Sequence, residues 1–145
     1  MMIPWIALSQ KLAGHSSQYV QLKDKFAEFA VHVATQMHHP AFHIKGITVS
    51  LHLADCYFTV AFVGRIVRFE YRTEVGESAA FKGLVDCYLL ARFPAKDPIK
   101  LTGFTFNGGG QTELIEPGTQ DSLNIAWDSS AAHIALDVIN QALSK

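Results

Sequence analysis

The chain has 145 residues, of which 49% are hydrophobic and 17% are charged, and its formal net charge is -1. This composition is too apolar for a disordered chain, and the length predicts a single domain, residues 1–145, whose core needs no disulfide or metal. The near-zero charge excludes a global positive field that would attract nucleic acid or anionic membranes.

The cysteines and the first residues predict a cytoplasmic protein. Cys56 and Cys87 lie far apart in the sequence and form no CxxC pair, which is typical of reduced thiols in a cytosolic protein. The opening stretch MMIPWIALSQKLAG lacks the basic start of a signal peptide. No segment approaches the roughly 20 apolar residues that a membrane helix requires, so we expect no membrane contact.

Residues 16–39 carry apolar side chains at spacings of three and four, which predicts an amphipathic helix capped by Ser16 or Ser17. A second apolar row lies about 100° around this helix. A helix that is apolar on two sides needs a second covering surface, so this row is predicted to form the interface of a homodimer. The predicted interface residues are Val20, Ala27, Val31, Ala34 and His38.

The stretch MHHPAFH, residues 37–43, contains three histidines and ends this helix. Pro40 stops the helix, so His38 and His39 are predicted to lie in its last turn, where imidazolium interacts favourably with the helix dipole. Their spacing matches no metal-binding motif. The sequence therefore predicts neither a metal site nor a cofactor.

After the helix, the apolar period changes to two. Residues 43–53 alternate as a half-buried antiparallel strand, and residues 56–72 predict a β-hairpin with a two-residue turn at Gly64-Arg65. In this register one face of the hairpin is apolar and the other polar. The predicted apolar pairs are Phe62 with Val67, Val60 with Phe69, and Phe58 with Tyr71.

Residues 79–93 fit two structures. They form either a helix capped by Ser78 or a strand, and the preceding meander favours the strand because consecutive strands usually pair. A strand would place Lys82, Asp86 and Arg92 on the same face as Arg68.

The last third of the chain predicts another strand, IKLTGFTF, then a hairpin or open loop at NGGG, and an irregular stretch over residues 116–124. Asp128 or Ser129 is predicted to cap a closing helix. The fold class is therefore α+β: an antiparallel meander of five or six strands with the long N-terminal helix and the C-terminal helix packed on one face.

The open face of the sheet is the predicted binding surface, because arginine beside aromatic rings can contact a protein partner or stack on bases. Its residues are His52, Tyr57, Arg68, Glu70 and Arg72. No catalytic residues are predicted, because the chain has no GxSxG motif and His133 with Asp137, one helical turn apart, lacks a nucleophile. The triple glycine at 108–110 is not followed by the lysine of a phosphate-binding loop.

These patterns favour a small non-catalytic protein that acts through protein contacts, in a regulatory, accessory or neutralising role, as a homodimer. Two alternatives remain open. One is a nucleic-acid-binding module that uses the arginines of the open face. The other is a metal-dependent enzyme built on histidines from the set His32, His39, His43, His52 and His133.

Overall fold

The computed structural model describes residues 2–76, 80–90 and 97–145, and these form two α-helices and seven β-strands. Two single 3₁₀ turns flank the first strand, at Pro40–Phe42 and Leu53–Asp55. In chain order the helices and strands are α1 Trp5–Met37, β1 Thr48–His52, β2 Tyr57–Phe62, β3 Arg65–Val75, β4 Phe81–Leu89, β5 Ile99–Phe106, β6 Gln111–Ile115, β7 Ser122–Asn124 and α2 Asp128–Leu143.

The strands form one antiparallel meander in which each strand pairs with its neighbours in sequence, and both helices contribute to the core on one face. This confirms the α+β class. The expected five or six strands are too few, since the described residues contain seven. The stretch 116–124, expected to be irregular, contains β7, which can return beside β6 because Gly118 turns the chain with a φ of 81°.

The ambiguous segment 79–93 is a strand where it is described. Strand β4 pairs with β3 over its whole length, from Val75 opposite Phe81 to Val67 opposite Leu89. The helical alternative is therefore wrong. Its proposed cap Ser78, and Arg92 near the end of the segment, lie outside the described residues.

The β2–β3 hairpin forms, but its predicted register is wrong by two residues. The turn is Val63-Gly64, with φ values of 50° and 72°, as in a type I′ turn. A shift of two leaves each side chain on its expected face, so alternation does not distinguish the two registers. The observed one places Phe58 opposite Phe69, whose rings stack at 4.6 Å.

The predicted boundaries of both helices need correction. Helix α1 begins at Trp5 rather than after Ser16 or Ser17, because Pro4 supplies the N-terminal boundary without any side-chain cap and the following Ala, Leu, Gln and Lys residues favour helix. It ends at Met37, so His38 is the C-cap and His39 lies beyond the helix.

The start of α2 also differs from the prediction. Its N-cap is Trp127, and Asp128 is the first helical residue, whose Oδ1 accepts the Ser129 N–H at 2.7 Å. An acidic side chain in the first turn still interacts favourably with the helix dipole, although it does not occupy the cap position.

The NGGG loop connects β5 and β6 as a tight turn. The Asn107 side-chain oxygen accepts the N–H groups of Gly109 and Gln111, each at 3.0 Å. Gln21 of α1 donates to the Gly108 carbonyl at 3.0 Å. The Asn107 side chain therefore occupies N–H groups that a phosphate ligand would need, and the Gln21 hydrogen bond ties the loop to α1, so the loop has a structural role.

A cluster of aromatic rings joins α1 to the sheet. The Phe29 ring is fully buried and meets the rings of Phe58, Phe69 and Phe104 edge-on, at centroid distances of 5.5, 6.1 and 5.9 Å. Edge-to-face aromatic pairs contribute about 0.5–1.5 kcal/mol each beyond their buried area. This cluster therefore fixes both the rotation of α1 and its position over the middle of the sheet.

We predict that Gly83→Ala destabilises the protein by about 1–3 kcal/mol, the range expected for overpacking. A Cβ at Gly83 would lie 2.1 Å from Cζ of Phe106, which covers this glycine from β5. Urea unfolding would measure the change. Gly14→Ala is the control, because its Cβ would meet nothing within 4 Å and should stabilise α1. Equal stability of Gly83→Ala and wild type would contradict the packing.

Candidate functional site

The predicted binding residues on the open sheet face lie together in the structure. Tyr57 pairs with Glu70 across β2 and β3, and the His52 ring stacks on the Tyr57 ring at 4.6 Å with an interplanar angle of 13°. Arg68 forms an ion pair with Glu70 on the same strand. The alternation along three neighbouring strands, β1 to β3, was enough to predict this grouping.

The centre of this face is Asp86 of β4, which is only 4% exposed although neither helix covers this side of the sheet. Two cations neutralise it: Arg72 Nε lies 3.2 Å from Oδ2, and Lys100 Nζ lies 3.1 Å from Oδ1. Lys100 approaches without hydrogen-bond geometry, since Oδ1 has no directed partner. The contact at Oδ1 is therefore mainly Coulombic.

Gly103 makes room for this carboxylate. It lies opposite Asp86 on β5, and a Cβ there would come within 3.0 Å of Oδ1. The aliphatic parts of long side chains can shield a carboxylate beneath them while their charged ends remain in water. The side chains of Arg72 and Lys100 are 66% and 55% exposed, which fits this arrangement.

Tyr88 and Lys100 belong to the same surface, but the sequence interpretation did not include them. The Arg68 guanidinium lies over the Tyr88 ring, 5.5 Å from its centroid. Tyr88 pairs with Lys100 immediately after an irregularity in the β4–β5 register. Alternation along β4 alone could have identified Tyr88, whereas the position of Lys100 depends on that irregularity.

The charges of this surface are largely paired. Glu70 compensates Arg68, and Asp86 is shared between Arg72 and Lys100. A surface that binds a nucleic acid backbone needs several cations without acidic neighbours. Among the described residues of the open face, the arginines are therefore not free of acidic neighbours.

The histidines do not gather into a site. Within the described ranges, no group of three or more His, Cys, Asp or Glu side chains could hold a metal ion. The Nδ1 of His39 accepts the Ala41 N–H at 3.1 Å and so caps the short 3₁₀ turn. The role of MHHPAFH in the described structure is thus to end the helix and turn the chain toward β1.

Neither of the other chemical candidates has an activated geometry. Burial raises the pKa of the Cys87 thiol, and the adjacent Asp86 carboxylate raises it further, so this thiol remains protonated and unreactive near neutrality. Asp137 accepts a hydrogen bond from Gln141 at 3.0 Å rather than from His133. The imidazole is therefore not held as an oriented general base.

The five predicted interface residues line one side of α1. Val20 and Val31 are 51% and 48% exposed, and His38 is exposed, while Ala27 and Ala34 are partly buried. Ala27 and Val31 border a shallow concavity on the outer surface of the helix. At intervals of seven residues, the same row extends from Val20 back to Ala13 and Ile6.

The first part of α1 extends beyond the sheet. The described residues from 2 to 14 are all exposed, and we call helical residues 5–14 the overhang. Contact with the sheet begins further on, where the His15 ring lies 4.8 Å from that of Phe81 and Gln18 accepts the Phe81 N–H at 3.3 Å. At 1.5 Å per residue, the overhang is about 15 Å long.

The apolar stripe that packs on the sheet continues along the overhang. Its buried part includes Leu22, Phe26, Phe29, Val33 and Met37. At the same spacings of three and four, it continues outward through Tyr19 and His15 to Leu12, Leu8 and Trp5, and we call these last three side chains the overhang stripe. They are 41% to 76% exposed. The helix thus presents the same apolar face where the sheet is absent.

Comparison with known proteins gives no relative. No protein-family model matches the chain, and neither the curated proteins nor the solved structures contain a match. Among the described helices, none combines the length and the apolar character needed to cross a membrane.

We predict that Asp86→Asn lowers the free energy of unfolding by about 1–2 kcal/mol at low salt. The loss should be below the 3–5 kcal/mol of a broken buried pair, because Arg72 and Lys100 can turn into water. Urea unfolding at low and high salt would measure it, and salt should reduce the difference.

The matched control is Glu28→Gln, which removes the pair with Lys25 at 3.4 Å on the surface of α1. Its cost should be below about 0.5 kcal/mol. Equal losses in the two variants would mean that burial adds nothing to the Asp86 cluster.

Proposed function

We propose that the protein is a small, cytoplasmic, non-catalytic protein that acts through protein contacts and assembles as a homodimer through α1. The single observation that carries this proposal is the overhang stripe, an exposed continuation of the face that α1 buries against its own sheet. The second row on α1 is also exposed, at Val20 and Val31.

Many of the exposed large apolar side chains lie near the start of the chain. Eight of them are 39% to 92% exposed: Met2, Ile3, Trp5, Ile6, Leu8, Leu12, Tyr19 and Val20. Extended apolar surface of this kind is rare on monomeric soluble proteins and marks sites of interaction.

The low charge of this region favours a second copy of the chain as the partner. From residue 2 to residue 20, Lys11 is the only Lys, Arg, Asp or Glu in the sequence. Two copies would therefore meet with little electrostatic repulsion, and the exposed apolar surface of each copy would cover that of the other. Helices that lie on membranes usually carry several Lys or Arg residues on their polar face, which this segment does not.

The pairing of the charges on the open sheet face also supports a protein partner over nucleic acid. Arg68 and Arg72 each have an acidic neighbour within ion-pair distance. We propose that His52, Tyr57, Arg68, Glu70 and Arg72 form a polar contact surface that stays available when two copies associate through α1. This would leave each dimer two equivalent surfaces for a further partner.

We predict that Leu8→Glu with Leu12→Glu weakens self-association by at least about 100-fold, or about 2.7 kcal/mol. Both side chains belong to the overhang stripe, and both are already exposed, at 41% and 56%. The monomer should therefore fold normally. Analytical ultracentrifugation over a wide concentration range would give the dimer dissociation constants.

The matched control is Gln10→Glu with Ser17→Glu, which adds the same charge on the polar side of α1. This variant should remain dimeric. The proposal fails if the wild type is monomeric well above micromolar concentration, or if both double variants dissociate equally. A monomer that binds lipid vesicles through the overhang would show that the stripe faces a membrane instead.

A further inference from the structure

A cavity lies between the C-terminal part of the sheet and α2. Strands β5 and β6 share one pair of facing residues, Phe106 and Thr112, and then separate. At the next position the Glu113 carboxylate, rather than a backbone carbonyl, accepts the Thr105 N–H at 2.9 Å. The separated strands and α2 border a partly open cavity of about 180 Å³.

The lining of this cavity has an apolar side and a polar side. Phe104, Leu114 and Leu123 line it from the sheet, and Ile134 and Val138 line it from α2. The polar side is formed by His133, Asp137 and Gln141, which follow one another at intervals of four and so lie along one side of the helix. A ligand here would need a compact apolar body and one polar end.

The charge of the side chains that line the cavity determines which polar group of a ligand can bind there. Of the described residues that line it, Asp137 is the only Lys, Arg, Asp or Glu, and it is exposed toward solvent. Gln141 donates to its Oδ2 at 3.0 Å, which orients the carboxylate. Among the described residues no basic side chain forms an ion pair with it. The site thus offers an uncompensated negative charge beside an apolar volume.

We infer that this cavity binds a small protonated primary amine with a compact apolar body. An apolar cavity of about 150 Å³ holds a benzene molecule, so 180 Å³ accommodates a single ring or a branched alkyl group. The ammonium group would then lie at the mouth and donate to Asp137, forming a charge-assisted hydrogen bond. A carboxylate ligand would be repelled from the same position.

Benzylamine, benzyl alcohol and benzoate are suitable probes, because they share a ring and differ in the charge of the polar end. Each would be titrated into the intact protein while amide NMR signals are recorded, which detects binding in the millimolar range expected for so few atoms. We expect benzylamine to shift the signals of His133, Ile134 and Val138. Benzyl alcohol should bind about tenfold more weakly, and benzoate should not bind.

Two variants test the assignment. Asp137→Asn keeps the shape of the exposed side chain and should weaken benzylamine binding about tenfold while leaving benzyl alcohol unchanged. Leu114→Phe adds volume at a half-buried wall and should reduce the binding of both. Asp24→Asn on the exposed surface of α1 is the matched control and should change neither.

The inference is overturned if none of the probes shifts these amides at concentrations in the tens of millimolar. It is also overturned if benzylamine and benzyl alcohol bind equally in the wild type, or if Asp137→Asn binds benzylamine as tightly as the control. Should Leu114→Phe fail to fold, the comparison of probes and the Asp137→Asn variant still decide the matter. The dimer proposal does not depend on this result.

Discussion

The fold depends on the insertion of the Phe29 ring among the aromatic side chains of three strands. Helix α1 cannot rotate without losing these contacts, and a change in strand register would remove the rings that Phe29 meets. The same contact therefore sets the direction in which the remaining residues of α1 point. The second apolar row lies to one side of the sheet for this reason, and the overhang stripe keeps the orientation of the buried stripe beyond the last strand contacts.

Two glycines allow side chains of very different polarity to lie within one sheet. On the core face, Gly83 accepts the ring of Phe106, and on the open face Gly103 leaves room for the carboxylate of Asp86. Both glycines belong to the central β4–β5 pair. Residues that are unfavourable in strands by propensity are thus explained by the side chain on the facing strand. The open face thus has a buried carboxylate, that of Asp86, at its centre, although neither helix covers this side of the sheet.

Apolar periodicity was sufficient to predict the class of the fold and the faces of its main elements. It predicted which residues of α1 face the core, and it brought Arg68, Glu70 and Tyr57 together on one surface. It did not determine the hairpin register, because a shift of two preserves every face. The correct register follows from the Phe58–Phe69 stack, a contact between strands that periodicity within one strand does not contain.

Other features were missed for different physical reasons. Helix α1 starts at Trp5 without a side-chain cap, so the usual signal for its beginning was absent. Strand β7 has three residues, too few for alternation to be recognised. Lys100 reaches Asp86 through an irregularity in the β4–β5 pairing, which only the assembled sheet reveals. Sequence patterns thus predicted which side chains each helix or strand buries. The candidate site around Asp86, in contrast, depends on how neighbouring strands pair.

The contact between Glu113 and Thr105 has a consequence for the dynamics of the sheet. The Thr105 N–H is held by a carboxylate on an exposed side chain, and the Thr105 hydroxyl donates to the same carboxylate at 2.9 Å. Rotation of one side chain frees this amide, whereas amides paired between backbones need the strands to part. Hydrogen exchange at Thr105 would therefore follow the motion of one side chain, on a faster timescale than exchange at amides that require the strands to part.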